Sequence, residues 1–405
     1  MKSHNKMFSS SMMGQSSSKI KLFNLDQEHD LGLEYMSEPE NSDIEHDVNG
    51  NEISKTFTQN YDLTDNVSSY DASYDLLCDT KKVIDCTLIP SIALEEITKD
   101  VRGFELDEVL DLQKNILDYD DAAYWVAALV NLSPTGALLL KNAVHFDWHM
   151  SFEDLENLGW SLNTEHYIAS INKAQLDIKS LSRSPFFMNT IVCDFIRALR
   201  DVWLEEKAEI DYQDYHPETI LKMERMRAAD IEALTLQVAW ELRSAGYSVL
   251  WRHILGSDKG DMAMLFTRFL EHDPASLFDG SALLVAFKQW YADEDRISTS
   301  DRIALEICDD ILFSAAEDKR IFANKPLPKE LLEEFFALPE GRLYIAPVLN
   351  EIMKNPYFSS MQNQINEAHL YHIIRDLEVC YVGNVPFRDP QLADKIFPDY
   401  TKILK

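Results

Sequence analysis

The feature that most limits what this chain can fold into is a long acidic stretch near its N-terminus. Between Asp26 and Asp79 there are fifteen Asp or Glu residues against a single Lys, Lys55, and no Arg. Serine and asparagine are frequent there, and the apolar residues follow no sustained period. Such a stretch cannot bury enough apolar surface to offset the entropy lost on ordering. We therefore expect residues 1–100 to form a disordered, solvated acidic tail; an acidic arm that binds a partner is the alternative.

The overall charge and the cysteines exclude several classes of protein. The 405 residues carry a formal net charge of −31, which argues against nucleic-acid binding and against adhesion to an anionic membrane, because both need clustered Lys and Arg. No apolar run is long enough to span a membrane, and the N-terminus lacks the apolar core of a secretion signal. The five cysteines form no C-x-x-C pair. We expect a cytoplasmic protein, although export without a readable signal stays open.

Beyond residue 100 the apolar residues recur at helical spacing. Helices are predicted within 105–117, 120–132, 133–148 and 189–210, and a long one begins at Pro217, with Gly246 as a stop signal. The segments 159–171 and 174–187 are shorter and more polar, which predicts a small hairpin. Further helices follow from residue 258. The expected fold is mainly α with a small β-hairpin (α+β), divided into a core at 101–255 and a helical C-terminal region at 256–405 that packs on it.

Two pairs of histidines have the spacing of metal ligands. His145 and His149 lie four residues apart in a predicted helix, where two imidazoles can share a metal. The glutamate that a metallopeptidase motif places after its first histidine is Phe146 here, so no base is available to activate a metal-bound water. His369 and His372 form a weaker pair in another predicted helix. Packed or exposed histidines are the favoured interpretation of both pairs.

The segment 189–210 raises a sharper question, because Arg197 and Asp201 lie one helical turn apart in an otherwise apolar helix. An exposed ion pair is one interpretation. The other is that these residues are what remains of a site whose chemistry has been lost.

The span from about Thr135 to Pro347 resembles a bacterial family assigned to the metallopeptidases of zincin, gluzincin-like, type. In that family a short hairpin precedes a helix with the sequence H-E-L-R-H-A-W. A second helix reads approximately E-A-D-A-x-A-x-x-x-Q-V-A-W-E-L. The present chain has RALRDVW at 197–203 and AADIEALTLQVAWEL at 228–242, so the second motif is matched most closely at its QVAWEL end.

The resemblance implies that the chemical positions of the family have been replaced. The positions of the first zinc ligand, the general base, the second ligand and the third ligand hold Arg197, Ala198, Asp201 and Ala228. A guanidinium does not lose its proton and so does not bind zinc, and alanine cannot accept a proton. A small shift in register would place Asp230 or Glu232 at the third ligand position. The H-E-x-x-H motif is therefore degenerate in this chain.

Three hypotheses follow. The first is a pseudo-peptidase without a cofactor, which binds a protein or peptide and in which Arg197 and Asp201 pair with each other in place of the metal. The second is an active zinc peptidase that recruits His145, His149 or His166 together with Asp230 or Glu232. The third is a helical protein-interaction module unrelated to peptidases. None of the three predicts a nucleic-acid or membrane partner.

Overall fold

The computed structural model describes residues 90–377 apart from 157, 208–209, 315–321 and 324, together with residues 380–382, 385–387 and 395. The predicted acidic tail therefore lies outside the described residues up to residue 89. Residues 91–100, which the sequence assigned to the end of that tail, instead form a strand and a helix, and Leu94 and Ile97 of this helix are fully buried.

Helices make up most of the described chain. They are α1 (Leu94–Asp100), α2 (Leu106–Lys114), α3 (Tyr119–Asn131), α4 (Pro134–His145), α5 (Ile178–Arg183), α6 (Pro185–Lys207), α7 (Pro217–Ser244), α8 (Ser248–Leu255), α9 (Gly260–His272), α10 (Ser276–Asp279), α11 (Ser281–Trp290), α12 (Glu294–Ser314), α13 (Lys329–Phe335), α14 (Leu349–Lys354) and α15 (Gln364–Leu377). The strands are β1 (Ser91–Ala93), β2 (His149–Glu153), β3 (Trp160–Asn163), β4 (Ile168–Asn172), β5 (Cys380–Val382) and β6 (Val385–Phe387).

The ends of the central helices follow the signals in the sequence. Ser133 caps α4 by accepting a hydrogen bond from the Gly136 N–H, and Pro134 occupies the first helical position. Pro217 opens α7 in the same way. At the other end of α7, Gly246 adopts a positive φ of 106°, which a residue with a Cβ rarely does, and so closes the helix as predicted.

A four-stranded sheet lies beside α6, with the strand order β1-β2-β4-β3. The pairing of β2 with β4 is parallel, and the other two pairings are antiparallel. On one face Trp160 and Leu162 of β3 and Ile171 of β4 are buried, and the Trp160 indole reaches α6. The predicted hairpin is formed by β3 and β4, which span residues 160–172 and so coincide with the first of the two predicted segments, 159–171. Residues 174–187 were wrongly assigned to it, since α5 and the start of α6 occupy them.

The long helix α7 is buried along most of its length and forms the centre of the described body. It contacts α6, α8, α11 and α12, and α15 also reaches it. Such a helix must place polar residues in the interior unless its sequence is apolar all round. The fold is therefore mainly α with a small sheet, as predicted. In the described part of the chain, no helix combines the length and the apolar character that a membrane span requires.

Candidate functional site

The contact between α6 and α7 contains an unusual number of buried charges. On α6, Asp194, Arg197 and Asp201 recur at a spacing of three and four residues, which places them on one side of the helix. All three are less than a tenth exposed. Because ions this deep must be paired to be tolerated, the partners of each charge determine what the site can do.

The first group, which we call the outer cluster, consists of Asp194, Arg197, Glu232 and Lys259. The Arg197 guanidinium donates to Asp194 Oδ1 at 2.8 Å and to Glu232 Oε2 at 3.1 and 3.0 Å. The Lys259 ammonium lies 3.8 Å from the other Glu232 oxygen. The side chain of Arg197 is 11% exposed, so the cluster reaches the edge of the protein interior.

The loop before β3 closes over this cluster at Gly159. A Cβ at this position would lie 2.6 Å from the Asp194 Oδ1 atom, closer than real Cβ atoms approach. Glycine is therefore required for the loop to lie directly on the carboxylate. The next residue, Trp160, has its ring 6.0 Å from the Arg197 guanidinium carbon, which fixes β3 beside the cluster.

Asp201 belongs to a different group. Its Oδ1 atom accepts from the Arg227 guanidinium at 2.7 Å, and its Oδ2 atom accepts from the Trp160 indole N–H at 3.0 Å. Arg227 also donates to Glu205 at 2.7 Å. The predicted ion pair between Arg197 and Asp201 is thus wrong. The opposite helix α7 offers each of them a partner of opposite charge, and both side chains turn toward it.

A third group, the sealed pair, consists of Arg200 and Asp230. The guanidinium donates to both carboxylate oxygens, at 2.7 and 3.2 Å, and neither side chain has any exposure. Arg200 also donates to the carbonyl of Ala337, and the Tyr344 hydroxyl donates to Asp230 at 2.7 Å. The pair therefore joins α6 and α7 to the segment that follows α13.

The positions that the resemblance implies for metal binding hold side chains that are apolar or already paired. Ala198 is fully buried, and Ala228 packs at the edge of the apolar core. The two acidic substitutes are already bonded to arginines, Asp230 to Arg200 and Glu232 to Arg197. Within the described residues, no group of three or more His, Cys, Asp or Glu side chains is arranged to hold a metal ion.

The histidines do not share a helix face, contrary to the spacing argument. Helix α4 ends at His145, which is exposed, and His149 begins β2. Asp147 adopts a positive φ of 60°, and the N–H of Trp148 bonds to the carbonyl of Ala143, which terminates the helix. Because this role usually belongs to glycine, the end of the helix could not be predicted from the sequence.

The other histidines that the sequence offered as ligands, His166, His369 and His372, lie elsewhere. His166 is exposed at the tip of the hairpin between β3 and β4. His369 on α15 lies 2.7 Å from Asp309 on α12, and His372 is exposed. The structure therefore brings none of them to the contact between α6 and α7.

Burial shifts the pKa of Asp194 in the outer cluster and the pKa values of two side chains near it, Cys193 and His253. It raises the pKa of the Asp194 carboxyl to about 6, although the Arg197 guanidinium opposes this. It raises the pKa of the adjacent Cys193 thiol to about 12, so that this cysteine stays protonated and is a poor nucleophile. The pKa of His253 is lowered by burial and by the charge of Arg197.

The QVAWEL motif, the most specific sequence signal, has a structural role. Glu241 accepts from the Ser133 hydroxyl at 2.5 Å and from the Thr135 N–H and hydroxyl at 2.9 and 2.7 Å, and Gln237 donates to the same hydroxyl at 2.9 Å. The carboxylate satisfies the free N–H of Thr135 at the start of α4 and interacts favourably with the helix dipole. The motif therefore joins α7 to the N-terminus of α4.

The comparisons with known proteins cover the part of the chain that contains these groups. Residues 183–346 match the model of a family described as "Putative metallopeptidase family". The matched stretch is less than half of the chain and runs from the end of α5 past α13, so it includes the outer cluster and the sealed pair. Neither a curated protein nor a solved structure matches the chain.

Proposed function

We propose that this protein is a catalytically silent relative of the metallopeptidases, which binds an extended peptide and does not cleave it. The observation that carries the proposal is the position of Arg197. At the place where the resemblance implies the first zinc ligand, a guanidinium is held between Asp194 and Glu232.

The donor set does not fit zinc. Arginine keeps its proton and repels a dication, and Ala198 cannot take a proton from a bound water. The carboxylates that could substitute as ligands bond to arginines, and the histidines that could assist them lie in other parts of the fold. A zincin-type scaffold with a degenerate motif accounts for all of these features.

Peptide binding is supported by the position of β3. Among the residues described, β3 is the last strand of the sheet in the order β1-β2-β4-β3. An extended peptide satisfies such an edge with its own backbone, and side-chain contacts then select the sequence. Trp160 places the strand directly over Arg197 and Asp201.

The proposal includes a cytoplasmic location. Among the described residues, Cys193 and Cys308 are buried free thiols, and thiols are kept reduced in that compartment.

Metal content and peptidase activity of the purified full-length protein test the proposal. We expect no stoichiometric zinc by mass spectrometry and no hydrolysis of a labelled peptide mixture after incubation with zinc. Stoichiometric zinc together with hydrolysis that a chelator abolishes would refute it.

A matched variant shows whether the positions were assigned correctly. It combines Arg197→His, Ala198→Glu, Asp201→His and Ala228→Glu. If the scaffold is zincin-like, this variant binds one zinc ion while the unchanged protein binds none. A folded variant that takes up no zinc would mean that the positional correspondence is wrong.

A further inference from the structure

The N-terminal end of α6 and the neighbouring helix α8 present apolar side chains at the protein surface. Phe186 on α6 is 49% exposed, and its ring makes edge-on contacts with the rings of Phe187 and of His253 on α8, at 5.4 and 5.1 Å between centroids. Val249 lies one turn before His253 on α8 and is 38% exposed. We call these four residues the α6–α8 patch, because their contacts join them into one continuous surface.

His253 belongs to the apolar part of this patch at neutral pH. Burial and the charge of Arg197 lower the pKa of its imidazole, so the ring is uncharged there. Its Nε2 atom lies 3.5 Å from the hydroxyl of Thr190, which follows Phe186 by one turn of α6. The ring is therefore positioned by contacts with two residues of α6.

The two segments that carry the patch are basic, in a chain whose net charge is −31. Residues 178–193 and 242–257 contain no Asp or Glu, and their basic residues are Lys179, Arg183, Arg243 and Arg252. All four are exposed. Arg183 precedes Phe186 by three residues, and Arg252 lies one turn after Val249 on α8. These two arginines are therefore placed close to the apolar residues.

Aromatic rings bordered by arginines are typical of a protein-binding surface, because aromatic residues and Arg are enriched at interfaces. The positive charges attract acidic side chains of a partner and repel basic ones. Nucleic acid is the less favoured partner, since four cations in a chain with 69 Asp and Glu residues offer little phosphate neutralisation. The observations therefore favour an acidic polypeptide segment that also carries large apolar side chains.

We propose that the α6–α8 patch binds an acidic segment of a partner protein, with an aromatic or large aliphatic side chain of that segment packed against Phe186 and Val249. The inference goes beyond the proposed function, because it assigns a second binding surface. Phe186 precedes Arg197 by eleven residues in α6, which corresponds to a rise of about 16 Å. Occupancy of the patch therefore does not require that β3 binds a peptide.

Selection of peptides from a phage-displayed random library on the full-length protein tests this proposal. We expect the enriched peptides to combine Asp or Glu with Phe, Trp or Leu. A fluorescein-labelled copy of the most enriched peptide should bind Phe186→Ser at least about tenfold more weakly than the unchanged protein, as measured by fluorescence anisotropy. Phe278→Ser is the matched control, since Phe278 on α10 is 77% exposed, and it should leave the affinity unchanged.

Three results of this selection would overturn the proposal. They are the absence of enrichment, the enrichment of basic peptides, and equal binding of the labelled peptide to Phe186→Ser and to the unchanged protein. Circular dichroism establishes that the variants are folded, which is expected for substitutions at exposed positions.

Reversal of charge tests the acidic character of the partner. Arg183→Glu/Arg252→Glu should weaken binding of the same peptide at least about tenfold at low salt and reduce the dependence of its affinity on salt. The control Arg102→Glu/Arg375→Glu makes the same change in charge at two other exposed arginines and should have little effect. A labelled single-stranded oligonucleotide that binds the unchanged protein, and loses binding only in Arg183→Glu/Arg252→Glu, would assign the patch to nucleic acid and overturn the proposal.

Hydrogen exchange with the selected peptide bound separates this surface from the one in the proposed function. We expect slower exchange at the start of α6 and in α8, because a bound segment suppresses local opening there. Slower exchange confined to β3 would mean that the peptide binds the edge of the sheet, which would support the proposed function and contradict the inference about the patch.

Discussion

The sealed pair and the outer cluster lie on neighbouring turns of α6, and their arginines differ in pairing and in exposure. Arg200 has one carboxylate partner, bonds to both of its oxygens and is fully buried. Arg197 divides its bonds between two carboxylates, and its side chain keeps 11% exposure. The sealed pair joins α6 and α7 inside the protein, whereas Arg197 lies at the edge of the interior. Under the proposed function, Arg200 holds the scaffold together and Arg197 stands where the resembled family has a zinc ligand.

The largest effect should come from breaking the sealed pair. Arg200→Met leaves Asp230 buried without a cation, and we expect unfolding in urea to show a loss of about 3–5 kcal/mol. The double variant Arg200→Met/Asp230→Leu should regain part of this loss, because no isolated charge is left. Arg302→Met is the matched control. Its exposed pair with Glu306 should contribute less than about 0.5 kcal/mol. Equal losses of unfolding free energy in Arg200→Met and Arg302→Met would show that the pair of Arg200 and Asp230 is not shielded from water.

A smaller effect is expected for Arg197, because water reaches its side chain and Lys259 remains close to Glu232. Arg197→Met should cost about 1–3 kcal/mol. The unfolding free energies of double variants show to which carboxylate Arg197 is coupled. With Asp201→Leu the effects should add within about 0.5 kcal/mol, whereas with Glu232→Leu the double variant should regain more than about 1 kcal/mol. Strong coupling to Asp201, and none to Glu232, would restore the original ion-pair interpretation.

The third effect is a dependence of stability on pH. Burial raises the pKa of Asp194 from 3.8 to about 6, so the folded state binds this proton more tightly than the unfolded state does. Its contribution to stability is complete below pH 3.8 and is lost as the pH rises through about 6. Asp194→Asn lacks this titration. Relative to the unchanged protein, the variant should become more stable between pH 4 and pH 7. A difference in unfolding free energy that does not vary with pH would show that Asp194 is not shielded.

The sequence predicted the long helices of the fold better than its short elements. Helical spacing, the Ser133–Pro134 start and the Gly246 stop located α4 and α7, because these signals act within one or two turns. β2 was missed, since its five residues follow a helix that stops at Asp147 without glycine. The first strand and helix were assigned to the tail because they are short and follow a long acidic stretch.

For the candidate site, the sequence identified the residues but not their partners. Arg197 and Asp201 stand out in the sequence as charges in an apolar helix, and both are buried. Their partners Glu232 and Arg227 lie 35 and 26 residues away in the chain. Only the antiparallel packing of α6 and α7 decides which of these charges meet, and helical periodicity contains no information about that contact.

The partners of Arg197 come from three places: Asp194 from α6, Glu232 from α7 and, through Glu232, Lys259 from the loop before α9. This has a consequence for how the protein can evolve. Under the proposed function, a return to histidine at position 197 would remove the guanidinium that Asp194 and Glu232 share and would leave only Lys259 near Glu232. Such a first step would cost stability before any ligand set exists, which would disfavour the recovery of a metal site.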